Sequence, residues 1–253
     1  MVNELVSIII PVYNAEKYIR ETIKTIADQT YTNWEAIFVD DCSTDRSASI
    51  IEEQLSSKIK LIKLEKNSGT AIARNAGIKE AKGRYLSFLD ADDLWEKDKI
   101  EKQLKFMKEN NYHFTYTAFK FVDEKNTKQS RKINVQKELT YNEALKNTRI
   151  LSIAVMTDLK YIPKEDCYME NVMNEDIATW WRILKKGNTA YGLNEVLVYY
   201  RRHKNSKTSN KLSNAKNRWE LYRKVEKLSV LKSFYYTMHY AYYGVLKRIW
   251  LCW

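Results

Sequence analysis

The feature that most constrains the fold is the regular alternation of two kinds of segment over the first hundred residues. Short apolar runs rich in β-branched residues predict buried strands, and these runs are Leu5–Ile10, Trp34–Val39, Ile59–Leu64 and Arg84–Leu89. Between and after them, apolar residues recur at the period of a helix that buries one face, over Ala15–Asp28, Asp45–Leu55, Thr70–Ala81 and Lys97–Asn110. Strands that alternate with helices of this length indicate βαβ units and a parallel sheet.

The pattern changes after residue 110. A long aromatic stretch, Tyr112–Val122, precedes the polar stretch Asp123–Lys132, which together predict an antiparallel hairpin. The remaining predicted elements are helices over Tyr141–Lys146 and Glu175–Lys186, a strand over Val196–Arg202, and helix from about Leu212 to the end. We therefore divide the chain into an α/β body over residues 1–210, with halves 1–110 and 111–210, and a helical tail over 211–253.

The charge of the chain is concentrated in this tail. The 253 residues carry a net charge of +11, and residues 201–253 hold 13 Lys or Arg residues against two acidic ones. The tail therefore accounts for the whole excess and the body is neutral. Such asymmetry points to a negatively charged partner, either nucleic acid or an anionic membrane surface.

Glycine, cysteine and hydropathy exclude several classes of protein. The 6 glycines never fall at the spacing of a dinucleotide-binding or P-loop fingerprint. The 3 cysteines form no C-x-x-C pair, which favours reduced thiols in a cytoplasmic protein. The apolar run at the N-terminus is short, ends at Pro11 and follows no basic segment, so we expect neither a signal peptide nor a membrane span.

Two acidic segments follow predicted strands, where parallel α/β sheets bind their ligands. Asp90-Ala91-Asp92-Asp93 puts three carboxylates in four residues, a set that a hard divalent cation such as Mg²⁺ or Mn²⁺ would neutralise. The alternative is an acidic turn that caps the helix after it. Asp40-Asp41-Cys42-Ser43-Thr44-Asp45 offers a carboxylate to a nucleobase or ribose, or an Asx turn and helix cap.

Four motifs in order carry a family resemblance. They are Ile9-Ile10-Pro11-Val12-Tyr13-Asn14, Val39-Asp40-Asp41-Cys42-Ser43-Thr44-Asp45, Asn67-Ser68-Gly69-Thr70-Ala71-Ile72-Ala73-Arg74-Asn75 and Leu89-Asp90-Ala91-Asp92-Asp93. Together they resemble the family 2 glycosyltransferases with the GT-A fold, particularly the bacterial capsule, exopolysaccharide and teichuronic-acid enzymes. Glu175-Asp176-Ile177-Ala178-Thr179-Trp180 and Tyr200-Arg201-Arg202-His203 extend the match to about residue 206.

The resemblance implies a GT-A fold, a Rossmann-like mixed sheet flanked by helices, with residues 1–110 as the nucleotide-sugar half and 111–210 as the acceptor half. It implies inverting transfer of a sugar from a nucleotide-diphosphate donor, typically a UDP-sugar, to an acceptor hydroxyl such as that of a glycan or lipid-linked acceptor. On the matching positions, Asp41 would contact the base and Asp90 would face the ribose. Ala91 would also bind the nucleotide-sugar, and Pro11, Tyr13 and Arg74 would line the nucleotide pocket.

The resemblance also implies a metal ion and a general base. Asp92 would ligate Mn²⁺ or Mg²⁺, which neutralises charge on the leaving diphosphate. His203 follows a strand and would complete the metal or diphosphate site, or is an exposed histidine in a basic loop. Asp176 would take the proton of the acceptor hydroxyl, with Glu175 as the neighbouring carboxylate. The alternative for this pair is a helix N-terminus stabilised by acids.

The tail combines basic and aromatic residues. On a helix, Phe234, Met238, Tyr242, Val245, Ile249 and Trp253 form one apolar stripe, as in a helix that lies in a membrane interface. We expect peripheral attachment to the inner face of the cell membrane, close to a lipid-linked acceptor in surface-polysaccharide synthesis. The alternative is a helix packed on the catalytic body or on a second subunit.

Two other functions compete with sugar transfer. A nucleotidyltransferase also needs a nucleotide pocket and an acidic metal site, but it usually has a Gly-rich basic loop near the first strand, and residues 11–15 offer none. A nucleic-acid-binding protein would explain the basic tail. It would leave the acidic segments unexplained because carboxylates repel phosphate, so we expect no nucleic-acid partner.

Overall fold

The computed structural model describes residues 4–148, 150–202 and 211–250. The strands are β1 (Val6–Val12), β2 (Trp34–Asp40), β3 (Ile59–Lys63), β4 (Tyr85–Phe88), β5 (Leu94–Trp95), β6 (Phe114–Val122), β7 (Glu138–Leu139), β8 (Val155–Asp158) and β9 (Ala190–Arg201). The helices are α1 (Ile19–Ala27), α2 (Ser47–Glu52), α3 (Thr70–Glu80), α4 (Lys99–Asn110), α5 (Tyr141–Lys146), α6 (Glu175–Lys185), α7 (Lys211–Glu220) and α8 (Val230–Trp250).

The strands form one mixed sheet with the order β3-β2-β1-β4-β8-β6-β9-β5, and β7 also pairs with β9. Strands β3, β2, β1 and β4 are parallel, as the alternation predicts. Strand β8 lies antiparallel between β4 and β6, whereas β6 runs parallel to β9. The expected Rossmann-like mixed sheet flanked by helices is confirmed.

Helices cover both faces of the sheet, and this explains the continuous apolar runs of the first strands. Ile8 and Ile10 of β1 belong to a core that includes residues of α1 and α4. Ile9 points to the opposite core, which includes residues of α3, α5 and α6. Because β1 is buried on both faces, its sequence shows no alternation of polar and apolar residues.

The structure differs from the sequence predictions in the second half of the body. In the described residues, the antiparallel hairpin expected after residue 112 does not form as a pair of strands. Its place is taken by isolated antiparallel bridges, such as that between Phe119 and Ile133. The main partners of β6 are the distant strands β8 and β9. Strand β8 was not predicted, and β9 begins at Ala190 rather than at Val196. Three helices also begin two to four residues later than predicted, as α1 does at Ile19.

The tail is not one continuous helix. A π-helical segment, Leu221–Val225, and a turn at Lys227 with φ of 53° separate α7 from α8. The first part of the tail packs on the body, where the ring of Tyr222 stacks on Trp181 of α6 at 5.2 Å and 8°. The Tyr222 hydroxyl donates to the carbonyl of Leu145 at 2.6 Å. The alternative of a tail packed on the catalytic body is therefore correct for this segment.

In the part of the chain that the structure describes, no helix is both long and apolar enough to cross a membrane.

Candidate active site

The loops that follow β1, β2 and β4 leave the same edge of the sheet because these strands are parallel and adjacent. They enclose a cavity of about 580 Å³. Its lining includes six of the residues predicted from the sequence, Pro11, Tyr13, Asp41, Asp90, Ala91 and Asp92. Residues from three separate motifs therefore meet around one space, as a nucleotide-binding site requires.

Asp41 is fixed by the loop that precedes α3. Its carboxylate oxygens accept hydrogen bonds from the backbone N–H groups of Ser68 at 2.7 Å and Gly69 at 2.8 Å. Gly69 has φ of 92°, a backbone conformation that favours glycine. A carboxylate has about four acceptor positions, so these two bonds orient Asp41 and leave acceptor capacity for a ligand in the cavity.

The other two acids of this loop, Asp40 and Asp45, accept hydrogen bonds from backbone N–H groups. Asp40 accepts from the N–H of Ser43 at 3.2 Å, and Asp45 accepts from the N–H of Ser47 at the start of α2 at 2.9 Å. The Asx turn that the sequence allowed is thus present at Asp45, whereas the N-cap position of α2 is Arg46, whose side chain makes no capping bond. Of these three acids, only Asp41 lines the cavity.

The acidic segment after β4 also divides into different roles. Asp90, Asp92 and Asp93 all border the cavity, but Asp93 is buried and accepts the backbone N–H of Arg201 at 2.7 Å. Burial raises the pKa of Asp93 well above its usual range, and the charges of Asp92 and Asp90 raise it further. Thr22 of α1 holds the turn by donating to the carbonyls of Ala91 and Asp93 at 3.0 Å.

Arg201 is a buried site residue whose role the sequence did not predict. Its Nε donates to the carbonyl of Asp92 at 2.8 Å, and one Nη donates to Glu21 of α1 at 2.7 Å. The guanidinium also lies 5.0 Å from the centre of the Tyr18 ring. Arg201 thereby fastens the end of β9 to the acidic turn. The motif Tyr200-Arg201-Arg202-His203 marked the segment, but the resemblance implied a role only for its histidine.

Arg74 lies behind the cavity, and its side chain is 5% exposed. Its guanidinium donates to Asp90 at 2.7 Å and to Glu175 at 3.1 Å. Burial would lower the pKa of Arg74, but the charges of Asp90, Glu175 and Asp176 raise it above its usual value. Within the described residues, those lining the cavity do not include Arg74. Arg74 thus links Asp90, which was predicted to contact the donor, to Glu175, which neighbours the predicted general base.

Glu175 and Asp176 occupy the first turn of α6. Burial raises the pKa of Glu175, and the adjacent Arg74 opposes this while Asp176 adds to it. The Asp176 carboxylate accepts from the Ser152 hydroxyl at 3.1 Å and from the N–H of Ile177 at 2.8 Å. Ser152 is buried in a short turn before β8, so nothing local in the sequence marked it.

The residues around the cavity suit a hard divalent cation. Among the described residues, no three His, Cys, Asp or Glu side chains are arranged to hold a metal by themselves. Asp90 and Asp92 nevertheless border the same cavity, and Mg²⁺ is commonly held by one or two carboxylates together with substrate phosphates. The predicted ligand His203 lies outside the described residues.

Comparisons with known proteins agree with the fold and with the family that the sequence resembles. The family model described as "Glycosyl transferase family 2" matches residues 7–159. The "Putative teichuronic acid biosynthesis glycosyltransferase TuaG" of Bacillus subtilis is 44% identical over 97% of this chain and 98% of that protein. The "UDP-Glc:alpha-D-GlcNAc-diphosphoundecaprenol beta-1,3-glucosyltransferase WfgD" of Escherichia coli is 34% identical over 96% of this chain and 95% of its own.

Solved structures share the architecture. The crystal structure of S. aureus TarS residues 1–349 in complex with UDP-GlcNAc superposes with a TM-score of 0.71 and 25% identity. The match covers 88% of this chain, which spans 65% of the length of that one. The mannosyltransferase PcManGT from Pyrobaculum calidifontis, in complex with GDP-Man and Mn²⁺, has a TM-score of 0.67 at 18% identity.

The predicted glycosyltransferase activity is confirmed over the nucleotidyltransferase alternative, since both the family model and full-length relatives name sugar transfer. The parallel strands, the acidic loops at their carboxyl ends and these matches lead to one assignment: the chain belongs to glycosyl transferase family 2.

Proposed function

We propose that this protein transfers a sugar, with inversion, from a UDP-sugar to a hydroxyl of a lipid-linked glycan in cell-surface polysaccharide synthesis. The observation that carries this proposal is the meeting of Asp41, Asp90 and Asp92 around one cavity of about 580 Å³. The names of TuaG and WfgD support the pathway and the class of acceptor, and the UDP-GlcNAc complex of TarS supports the donor.

In this proposal the donor nucleotide lies along the edge of the sheet. Asp41 accepts a hydrogen bond from the uracil, because its carboxylate is oriented by Ser68 and Gly69 and keeps acceptor capacity. The exposed ring of Tyr13 and the ring of Pro11 provide apolar surface against the nucleotide. Asp90, held by Arg74, contacts the ribose side.

Asp176 acts as the general base. It removes the proton of the acceptor hydroxyl as that oxygen attacks the anomeric carbon and the bond to the diphosphate breaks. Ser152 and the N–H of Ile177 orient its carboxylate. Glu175, whose carboxylate is paired with Arg74, keeps the first turn of α6 in register with the donor site. General-base assistance of this kind contributes roughly 10²–10⁴-fold in rate.

A divalent cation, Mn²⁺ or Mg²⁺, completes the proposed site, and Asp92 would hold it with help from Asp90. When bound, it would supply Lewis-acid stabilisation of the negative charge on the leaving diphosphate. The Mn²⁺ of PcManGT supports this assignment. His203 is the proposed further ligand.

The protein would work at the cytoplasmic face of the cell membrane as a peripheral enzyme. The acceptor named for WfgD, a diphosphoundecaprenol-linked sugar, is a membrane lipid. The basic tail, which carries the whole net charge of the chain, supports attraction to an anionic leaflet.

Calorimetry with UDP and Mn²⁺ tests the donor site, using the wild type, Asp92→Ala and the surface variant Asp28→Ala. We expect UDP binding that depends on Mn²⁺, is lost in Asp92→Ala and is unchanged in Asp28→Ala. Transfer from a panel of UDP-sugars to a polyprenyl-diphosphate-linked sugar then tests the reaction. Failure of the wild type to bind UDP, or equal binding by Asp92→Ala, contradicts the proposed site.

A further inference from the structure

Helix α8 presents an apolar face to solvent. Leu231 is 83% exposed, Phe234 60%, Met238 55% and Tyr242 60%. Val230 and Tyr235 are also exposed. Six of the exposed large apolar side chains among the described residues therefore belong to this one helix. We call the residues Leu231, Phe234, Tyr235, Met238 and Tyr242 the outer face of α8.

The opposite face of α8 already has a partner. Ser233 is fully buried, and the ring of Tyr236 lies 5.8 Å from that of Tyr222. The guanidinium of Arg218 in α7 lies 4.9 Å from the centre of the Tyr240 ring. These contacts set the rotation of α8 about its axis. The outer face is therefore directed away from the body by packing, and a contiguous apolar patch of this kind marks an interaction site.

We infer that the outer face of α8 binds the surface of an anionic lipid bilayer, with its apolar side chains inserted among the lipids. This inference deepens the proposed function, on which it rests, since a lipid-linked acceptor requires work at a bilayer. An interfacial helix has an apolar aromatic face bordered by basic residues and little acidic charge. Residues 230–250 contain three Lys or Arg and no Asp or Glu.

The charge of the tail decides between a bilayer and a second copy of this chain. On a helical projection, Lys232 falls beside the sector of the outer face, and residues 211–253 contain two acidic residues against nine Lys or Arg. Each such basic residue is attracted to anionic lipid. Pairing of two copies through this face would bring the two basic tails together and add repulsion between like charges. The aromatic composition is also typical of a membrane interface, where Tyr and Trp are enriched.

The test uses the full chain, because Leu221 and Tyr222 are buried and a truncated protein would lose part of the core. We would measure co-sedimentation with vesicles of phosphatidylcholine alone and of phosphatidylcholine mixed with phosphatidylglycerol. The variant is Phe234→Ser/Met238→Ser, and its matched control is Leu55→Ser/Tyr161→Ser, which changes two exposed apolar residues outside α8.

We expect the wild type to bind the anionic vesicles, more weakly at high salt. The Phe234→Ser/Met238→Ser variant should bind roughly tenfold or more weakly, and Leu55→Ser/Tyr161→Ser should bind as the wild type does. Equal binding by the α8 variant, or no vesicle binding by the wild type, overturns the inference. A wild type that is dimeric by sedimentation, with a monomeric α8 variant, also overturns it, because the face would then join two copies.

Activity distinguishes this inference from the proposed function. Transfer to a short-chain, water-soluble acceptor analogue can be measured without lipid. Transfer without vesicle binding overturns the inference and leaves the proposed function in place. Vesicle binding that depends on the outer face, without transfer, supports the inference and counts against the proposed function.

Discussion

Arg74 and Glu175 lie 101 positions apart in the chain, and their side chains are joined at 3.1 Å in an ion pair whose arginine is buried. The same guanidinium holds Asp90 at 2.7 Å. The arginine thus connects the acidic loop after β4 with the first turn of α6. The next residue strengthens the connection, because the side chain of Asn75 donates to and its Oδ1 accepts from the backbone of Met169.

Replacement of Arg74 tests this connection. Arg74→Met leaves Asp90 and Glu175 without their cation, and we expect a loss of about 3 kcal/mol in unfolding free energy, as for buried pairs that lose one partner. Arg74→Lys keeps the charge but loses the forked geometry of the guanidinium. Its unfolding free energy should lie between those of the wild type and Arg74→Met. Urea denaturation measures the loss, and the double variant Arg74→Met/Glu175→Gln should recover part of it. Additive effects of the two substitutions would contradict the pairing.

The effects of substitutions on kcat should distinguish the roles of the adjacent carboxylates Glu175 and Asp176. Asp176→Asn should lower kcat by roughly 10²–10⁴-fold, with the Kd for UDP unchanged, because the general base acts only on the acceptor hydroxyl. Glu175→Gln should have a smaller effect on kcat, since this side chain acts through Arg74. Steady-state kinetics and calorimetry on both variants give the comparison. A larger loss in Glu175→Gln than in Asp176→Asn would reverse the assignment.

Ser152 is expected to position Asp176. Ser152→Ala removes the hydroxyl that donates to the Asp176 carboxylate, and we expect kcat to fall roughly threefold to tenfold, the equivalent of one hydrogen bond. The KM for the UDP-sugar should not change because Ser152 lies outside the donor cavity. Ser152→Thr keeps a hydroxyl and should restore part of the rate. A change in KM alone would assign Ser152 to the donor site.

Lys99 makes stability depend on pH. Its amine is fully buried, donates to Ser87 at 2.7 Å and lies 3.7 Å from the centre of the Trp95 ring. Burial lowers the pKa of Lys99 well below its usual range. The unfolded chain therefore binds a proton that the folded chain excludes, and stability falls as the pH drops below the unfolded pKa of about 10.4.

Lys99→Met should consequently be more stable than the wild type at pH 7, and the difference should shrink towards pH 10. The slope attributable to one group is at most about 1.4 kcal/mol per pH unit. The exposed neighbour provides the control, as Lys97→Met should follow the wild type at every pH. Denaturation curves from pH 7 to about pH 10 measure the effect, and parallel curves for Lys99→Met and the wild type would contradict it.

The first half of the fold follows from local sequence. Strand β2 was predicted to within one residue and α5 to the residue. A strand buried on both faces gives a continuous apolar run, and a helix buried on one face gives a periodic one. The meeting of Asp41 and Asp92 also follows from the sequence, since parallel neighbouring strands end at a common edge. These relationships depend only on residues close in sequence and on the rules of parallel sheets.

The second half depends on pairings that no local pattern encodes. Strand β8 has four residues, and a run this short cannot be recognised by period alone. Its insertion between β4 and β6 also brings the preceding turn, with Ser152, next to Asp176. Arg201 likewise contacts Asp93 across 108 positions. The sequence marked the segments of Asp93 and Arg201 but not β8 or Ser152, and only the tertiary structure gives their partners.

One further consequence concerns α6. This helix carries Asp176 in its first turn, and five residues later Trp181 stacks on Tyr222 of the C-terminal segment. Helix α6 is 11 residues long and six of its residues are buried, so Asp176 and Trp181 belong to one packed element. Any tilt of the C-terminal helices that is transmitted through the ring stack must therefore turn the carboxylate as well. The contact between the tail and α6 therefore lies less than two helical turns from the proposed general base.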